Sequence, residues 1–516
     1  MIKDIIRKEL LVNIFSYRFL IGLVVVIVMM GIVGYVLVED YVFRNQTHIS
    51  NVQQHTDQLK NFKVYSTVKT VVDIPPSPLS VFCRGAKDVP TSIEITSYQI
   101  PSVVDNQGTT DFIGGGGESN RPYNPLLRIF TPIDLAFVIG IILSLFAILL
   151  VFDSFSGERE QGTLRLMLST SIGRIQVLLG KFIGALITIA IPLTIGFLEI
   201  LLIWNFFPDI SLSSDILIGT ILIYFFSLVF LAGFLALGLL ISLFTRESST
   251  GLMYLLLAWV LVAIVIPEGI GYLAEYNFPK ESTKDLLSTI DKQYSEAVKK
   301  VPQPHNMMIW GSMDYEGGEE ILGINPEAIE PRVEYHKATY SLKLQRAEDR
   351  NRVMENYADR LDNWKNTRDA LLRTSLYVMY KNIVTAISGT DIETYETTIQ
   401  RVKRYRESLV EYLRPKVASA QWFTRVLEHP EMLMTKENEK KWDELKAKEG
   451  AEALYKIFTW DRIPPLNVSD MPLPDIEFPG ITERLSSIMI DIAILFSTII
   501  AFLLLACWRA AYYKVN

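Results

Sequence analysis

Cysteine is almost absent from this chain. Its 516 residues include only Cys83 and Cys507, and no pair stands at metal-binding spacing, so neither a disulfide framework nor a cysteine metal centre organises it. Histidine is nearly as scarce, with His48, His55, His305, His336 and His429. Glu334 and His336 lie two apart, which on a helix points them to different faces, and no H-E-x-x-H occurs; a zinc hydrolase is excluded. No G-x-S-x-G marks a nucleophile. No G-x-x-x-x-G-K-[ST] marks a P-loop, so the chain does not hydrolyse ATP by that route. The run Gly114–Gly117 lacks the Lys-Ser/Thr that closes a phosphate loop and reads as a flexible linker. A basic surface is missing too: the net charge is −7, which argues against nucleic acid. The chain is therefore read as a non-enzyme with no cofactor or metal of its own.

Apolar residues are present in quantity, at 49% of the chain, and they are bunched rather than spread. That distribution signals a multispanning membrane protein. At 1.5 Å per residue, six runs are long enough to cross a hydrocarbon core of about 30 Å. They predict spans at 19–38, 132–152, 182–206, 214–244, 251–272 and 486–507. Lys and Arg mark one side of the bilayer: Lys3, Arg7, Lys8 and Arg18, then Arg159, Arg165, Arg174 and Lys181, then Arg246, then Arg509 and Lys514. The positive-inside rule makes that side cytoplasmic and puts both termini there. On this topology the two cysteines lie on opposite sides, against an intrachain disulfide. No small-residue cleavage site follows the first span, which reads as retained rather than as a removed signal.

The most distinctive stretch is the polar piece between the second and third spans, residues 153–181. It includes G-E-R-E-Q-G-T-L-R-L-M-L-S, then S-I-G-R and G-K. It is too charged for hydrocarbon, where each Arg, Asp or Glu costs roughly 2.5–3.5 kcal/mol at mid-depth. Leu164, Leu166, Met167, Leu168, Ile172 and Ile175 recur at helical spacing, as in a helix lying flat at the interface with its polar side free for a soluble partner. Glu158, Arg159, Glu160, Gly162, Thr163 and Arg165 are the candidate docking residues, with Gly162 allowing close backbone approach. The plainer alternative is an interfacial loop whose charges only set topology.

This stretch resembles the signature after the second span of ABC-2-type permeases, the membrane subunits of ATP-driven exporters. K-E-L-L-V-N-I-F-S-Y-R-F at the start is similar to the family's amphipathic opening helix, here residues 1–18. P-P-S-P-L-S-V-F and Y-N-P-L-L-R-I-F-T-P-I-D-L resemble a subgroup with enlarged external segments, as do S-G-T-D-I-E-T-Y, Y-R-E-S-L-V-E-Y-L and the last span. The resemblance implies a mainly α, six-transmembrane-helix ABC-2 (type V-like) permease in a prokaryotic inner membrane. It implies that residues 153–181 form the coupling helix touching a separate ABC ATP-binding subunit, present in two copies and carrying the ATP and Mg. It further implies a second copy of this permease, or a related one, as dimer partner.

Two large segments are expected outside. Residues 39–131 start helical from Val52 to Phe62, turn strand-like at V-Y-S-T-V-K-T-V-V, and are then broken by Pro75, Pro76 and Pro78. Residues 273–485 are expected to form a large helical extracytoplasmic domain. Glu334–Trp364 reads as a long solvated helix and Lys436–Lys456 as a second charged one. Leu372, Leu376, Met379, Ile383 and Ile387, then Ile392, Tyr395, Ile399, Val402, Leu409 and Tyr412, step by threes and fours. Gly389 is the expected corner between those two helices, with Thr390 or Asp391 as the next N-cap. Pro464, Pro465, Pro472, Pro474 and Pro479 predict an extended return to the last span, and residues 508–516 form the tail.

Four acids, Asp134, Glu199, Glu268 and Asp491, fall inside or at the edge of spans. A carboxylate at membrane depth commonly lines a cavity or pathway, so they are candidates for a vestibule that takes a cationic or amphipathic substrate. The alternative is that they cap helices or pair locally, for instance with Arg484. Pro267, Gly269 and Gly271 suit either a re-entrant turn ending the fifth span or a plain kink. Two functions fit the whole: export or lateral release of a substrate, or mechanical control of an envelope partner by moving the outer domain.

Overall fold

The structure is a computed structural model that describes residues 2–65, 68–85, 91–101, 133–164, 173–207, 213–276, 283–303, 310–313, 321–417, 425–450, 453–454, 457, 463–474, 476 and 479–512. Gly114–Gly117 and Arg165 lie outside the described residues. Helix dominates. Among the described residues, six helices or helical stacks are long and apolar enough to cross a bilayer: Tyr17–Lys60, Leu135–Glu160, Arg174–Asn205, Ser214–Phe244, Ser248–Ile270 and Met489–Ala511.

The chain opens with α1 (Ile2–Ile14), which packs along α6 (Arg174–Asn205). Small residues permit that approach: a side chain at Gly180 would meet Ile5, and one at Gly184 would meet Glu9. Ser16 caps α2 (Tyr17–Lys60), accepting from the Phe19 N–H at 3.1 Å. At 44 residues, α2 is about 66 Å long, twice what the hydrocarbon requires. Its far half leaves the bundle. There β1 (Thr70–Asp73) and β2 (Ser92–Ile95) pair antiparallel, Val72 opposite Ile93.

The second span is compound. Asp134 caps α3 (Leu135–Phe137), a π-helical stretch covers Val138–Leu143, and α4 (Ser144–Val151) leads to α5 (Ser156–Glu160). After α6 comes α7 (Ser214–Phe244), which is largely enclosed by the bundle. The fifth span also changes register, from α8 (Ser248–Val260) through a π stretch at Leu261–Val265 into α9 (Ile266–Tyr276). The helix continues through Pro267 as far as Tyr276, and residues 277–282, where a re-entrant turn would fall, lie outside the described residues. Pro267 is tolerated because it sits in the first turn after the register change, where a missing N–H is least costly.

Beyond the bundle, α10 (Lys284–Lys300) lies along α11 (Ile329–Leu372). They are joined by Asp291, which accepts from Arg346 at 2.8 Å and from Arg350 at 2.7 Å. Between them in sequence, β3 (Trp310–Met313) pairs with β4 (Ile321–Ile324). After α12 (Leu376–Ser388), α13 (Ile392–Val417) packs Tyr395, Ile399, Val402 and Leu409 against Val72, Ile93 and Ile95 of the small sheet, giving the outer domain its core. Trp442 of α14 (Lys436–Glu449) anchors a satellite cluster with Leu454. An extended return then leads through α15 (Ile481–Ser487) to the last span, α16 (Met489–Ala511).

One element departs from the expected layout of 273–485. Helix α12 lies in the main core among α7, α16 and both π stretches, not in the outer domain. Its 13 residues reach about 20 Å, too short to cross, yet all of them but Tyr377, Lys381 and Asn382 are buried. Gly389 ends it at φ +66°, and Asp391 caps α13 through the Thr394 N–H, as the corner residues predict.

Candidate coupling site

The bundle has two ends. The outer domain sits on one, and α1 and the 153–164 segment sit on the other, called here the hairpin end. Ser242 of α7 organises the hairpin, its hydroxyl accepting from the backbone N–H of Phe155 at 3.0 Å and of Ser156 at 3.2 Å. These are donors that the start of α5 would otherwise leave unsatisfied. Gly162, at φ +71°, turns the chain out of α5, and Thr163 donates back to the Glu158 carbonyl at 3.2 Å.

The three charges of the motif hold three different elements. Arg159 donates to the carbonyl of Thr245 at 2.6 Å and to that of Leu243 at 3.4 Å, closing the C-terminal end of α7. Glu160 accepts from the backbone N–H of Ser248 at 2.7 Å and from its hydroxyl at 3.1 Å. It thereby caps α8, whose own N-cap residue, Glu247, makes no side-chain capping bond. A cation on a helix C-terminus and an anion on the next N-terminus each complement the local dipole.

Glu158 turns the other way. Its Oε1 receives Lys181 at 2.9 Å and Lys8 at 3.2 Å, and Lys181 also donates to Glu9 at 2.9 Å. The Lys181 side chain is 2% exposed and its ammonium lies 5.4 Å from the Phe155 ring centre. Burial pulls the Lys8 pKa down, but Glu158 and Glu9 outweigh it and hold it above its usual value. Arg18 meets Asp153 at 2.7 Å, and Arg174 donates to the Ala511 carbonyl at 2.8 Å, tying in the last span. Thus α1, α2, α6, α7 and α8 are all pinned to one short segment. Glu160, Gln161, Gly162 and Thr163 remain at its exposed surface.

Sequence reasoning singled out Glu158, Arg159 and Glu160 but not what they bond, Lys8 and Lys181, the Thr245 carbonyl and Ser248, nor Glu9, the second partner of Lys181. A lysine on the apolar face of α6 and a glutamate on the buried face of α1 were the available signals.

The four acids do not share one environment. Asp134 accepts from the Phe137 N–H at 2.7 Å, the Arg84 N–H at 3.3 Å and the Cys83 thiol at 3.2 Å. Asp491 is buried against Arg373, at 3.0 and 3.3 Å. Arg484 instead donates to the Ile387 carbonyl at 2.8 Å. Glu199 lies in the seam with α2, where Gly31 leaves it room, and its Oε2 has no hydrogen-bond partner among the described residues. Glu268 is exposed.

A family model described as "ABC-2 family transporter protein" matches residues 4–312. The chain belongs to the ABC-2 transporter family. The matched part of this ABC-2 family member runs from α1 to β3, through the first five spans and the whole hairpin. Over 64 residues it is 44% identical to a probable ABC transporter permease protein NosY from Stutzerimonas stutzeri, covering 12% of this chain and 23% of that protein. Over 56 residues it is 46% identical to the NosY permease of Pseudomonas aeruginosa, covering 11% of this chain and 20% of that one. The chain therefore matches about a fifth of the length of these curated relatives.

Proposed function

We propose that this chain is the permease subunit of an ATP-driven ABC exporter in a prokaryotic inner membrane. Its hairpin end faces the cytoplasm, both termini are inside, and the outer domain is extracytoplasmic. Two copies of a separate ATP-binding subunit, carrying the ATP and Mg, bear on residues 153–164 and drive a pair of permeases. A substrate then leaves outward or laterally, by way of Glu199. The observation that carries this reading is the pinning of five elements to one exposed hairpin. A push on Gln161 or Thr163 reaches α1 and α6 through Glu158, α7 through Arg159 and α8 through Glu160. Only a contact that differs between two states of the ATPase can shift the bundle, and a stapled hairpin delivers such a difference to the spans without loss.

Alanine at Glu158 or Glu160 would disturb internal staples as well as any docking, so the test uses exposed positions. A photocrosslinking residue at Gln161 or Thr163 is expected to capture an ATP-binding subunit in native membranes, while one at Leu473 in the outer domain does not. Capture from Leu473 alone, or from none of the three, refutes the assignment.

A second reading, a mechanical transmitter acting on an envelope protein, is favoured by one feature. Helix α2 runs unbroken from the hairpin end into the outer-domain core. Substrate flux in proteoliposomes separates the two readings, since a transmitter hydrolyses ATP with nothing crossing.

A further inference from the structure

Helix α12 is held at both ends and along its length by elements that belong to the bundle. At its start, Arg373 is paired with Asp491 of α16. The Ser375 hydroxyl accepts from the Val378 N–H at 3.3 Å and donates to the Val262 carbonyl at 2.5 Å, inside the π stretch of the fifth span. At its end, Ser77 donates to the Ser388 carbonyl at 2.5 Å, Arg484 to that of Ile387, and Thr390 to that of Cys83 at 3.0 Å. Midway, Tyr380 stacks on Phe230 at 4.4 Å and its hydroxyl bonds Ser227 at 2.9 Å, both on α7.

The two register changes in the bundle fall where α12 lies. In the second span the Tyr377 ring covers Gly140, where any side chain would collide with it. The Gly140 carbonyl there is taken up by Ser144, which in turn accepts from Trp259 of α8 at 2.9 Å. In the fifth span the carbonyl of Val262 is taken up by Ser375. π stretches are sites where a helix yields locally, and here their carbonyls are answered by α12 itself or by side chains beside it. Upstream, the backbone passes from α12 through Arg373 directly into the 44-residue α11.

We propose that α12 is a wedge whose seating fixes the spacing of the second, fourth, fifth and sixth spans. The elbow at Arg373–Ser375 passes changes in that spacing to the α11 arm. This rests on the functional reading above and extends it: the outer domain reports the state of the bundle through one joint rather than riding passively on it. The two π stretches are the places where the spans give.

The test locks the wedge. In the assembled complex, Gly233→Cys and Leu376→Cys are combined in a Cys83→Ser, Cys507→Ala background. A side chain at Gly233 stands 3.6 Å from Leu376, so a short bifunctional thiol reagent bridges the two. Hydrogen exchange is read with and without ATP and vanadate. The uncrosslinked complex is expected to show nucleotide-dependent exchange, changed by about fivefold or more, at residues 138–144, 261–266 and 373–390. The cross-link abolishes that response while the hairpin still responds. A response that persists in the locked complex, or is absent from these segments in the unlocked one, overturns the proposal. If no ATP-binding subunit co-purifies, the functional reading fails and this one with it, a result visible before any exchange is measured. Should the double-cysteine chain not accumulate, Tyr380→Phe replaces it, removing only the bond to Ser227. Faster exchange at 373–390 without nucleotide supports the wedge, and native exchange there overturns it.

Discussion

Replacing Lys181 with methionine tests the hairpin staple directly. The ammonium is enclosed and bridges Glu9 and Glu158 at 2.9 Å each, while Oε2 of Glu158 has no partner among the described residues. Methionine fills the space but leaves two carboxylates facing each other. Removing one member of a buried pair costs about 3–5 kcal/mol. Lys8 stays within 3.2 Å of Glu158 but is more than half exposed, so solvent screens it and it offsets only part of that loss. The net expectation is about 2–4 kcal/mol, felt as detachment of α1 from α6. Hydrogen exchange of the α1 amides in nanodiscs measures this, since about 2 kcal/mol corresponds to roughly 30-fold faster exchange through local opening. Adding Glu158→Gln removes a stranded charge, so the double variant is expected to recover about 1–3 kcal/mol relative to Lys181→Met alone. Exchange within about threefold of native in the single variant, or additive losses in the double, would refute the reasoning.

Three further outcomes follow from the same geometry. Gly85 has φ +56° and a side chain there would collide with the Thr390 carbonyl oxygen, so Gly85→Ala is expected to lower folded yield sharply on fluorescence size-exclusion. Gly162→Ala, at φ +71° with nothing within 4 Å, is expected to cost only about 1 kcal/mol; equal losses would contradict the clash argument. Arg373→Ala strands the buried Asp491 and should cost about 2–4 kcal/mol, and Arg373→Lys an intermediate amount because it loses the two-pronged geometry. Thermal scans of both against native check this, with indistinguishable midpoints the refuting result. His336 on α11 is held below its usual pKa by burial, with Lys343 and Arg332 adding to the effect. The unfolded ring, near 6.5, then binds more protons than the folded one, so stability rises with pH and is lost as pH falls below about 6.5. His336→Gln is expected to flatten the pH dependence of exchange in residues 329–350 between pH 7 and 5; an unchanged slope excludes it as the cause.

The spans were legible because a long apolar run has few alternatives. Gly389 and Asp391 were legible because caps are local chemistry. What the residues could not reveal was pairing across distance. Asp491 and Arg373 are separated by 118 positions, and nothing near either names the other. Arg484 was the nearer guess, yet it serves a carbonyl of α12. Helix α12 itself was placed outside because its leucine and isoleucine steps read as one apolar face against a domain. Val378, Val384 and Ala386 are apolar and buried as well, off the face those steps define, and they were the overlooked clue to enclosure. For the hairpin, the motif was visible but its inward orientation was not. A charged stretch at an interface reads as outward-facing until the helix ends it closes are known.

The length of α2 has a geometric corollary. A rigid helix some 66 Å long that pivots by about 5° where it meets α1 sweeps its distant tip through roughly 6 Å. Ångström-scale rearrangements at the hairpin end are thereby magnified before they arrive at the β1–β2 sheet, making the first span a lever whose long arm projects beyond the lipid.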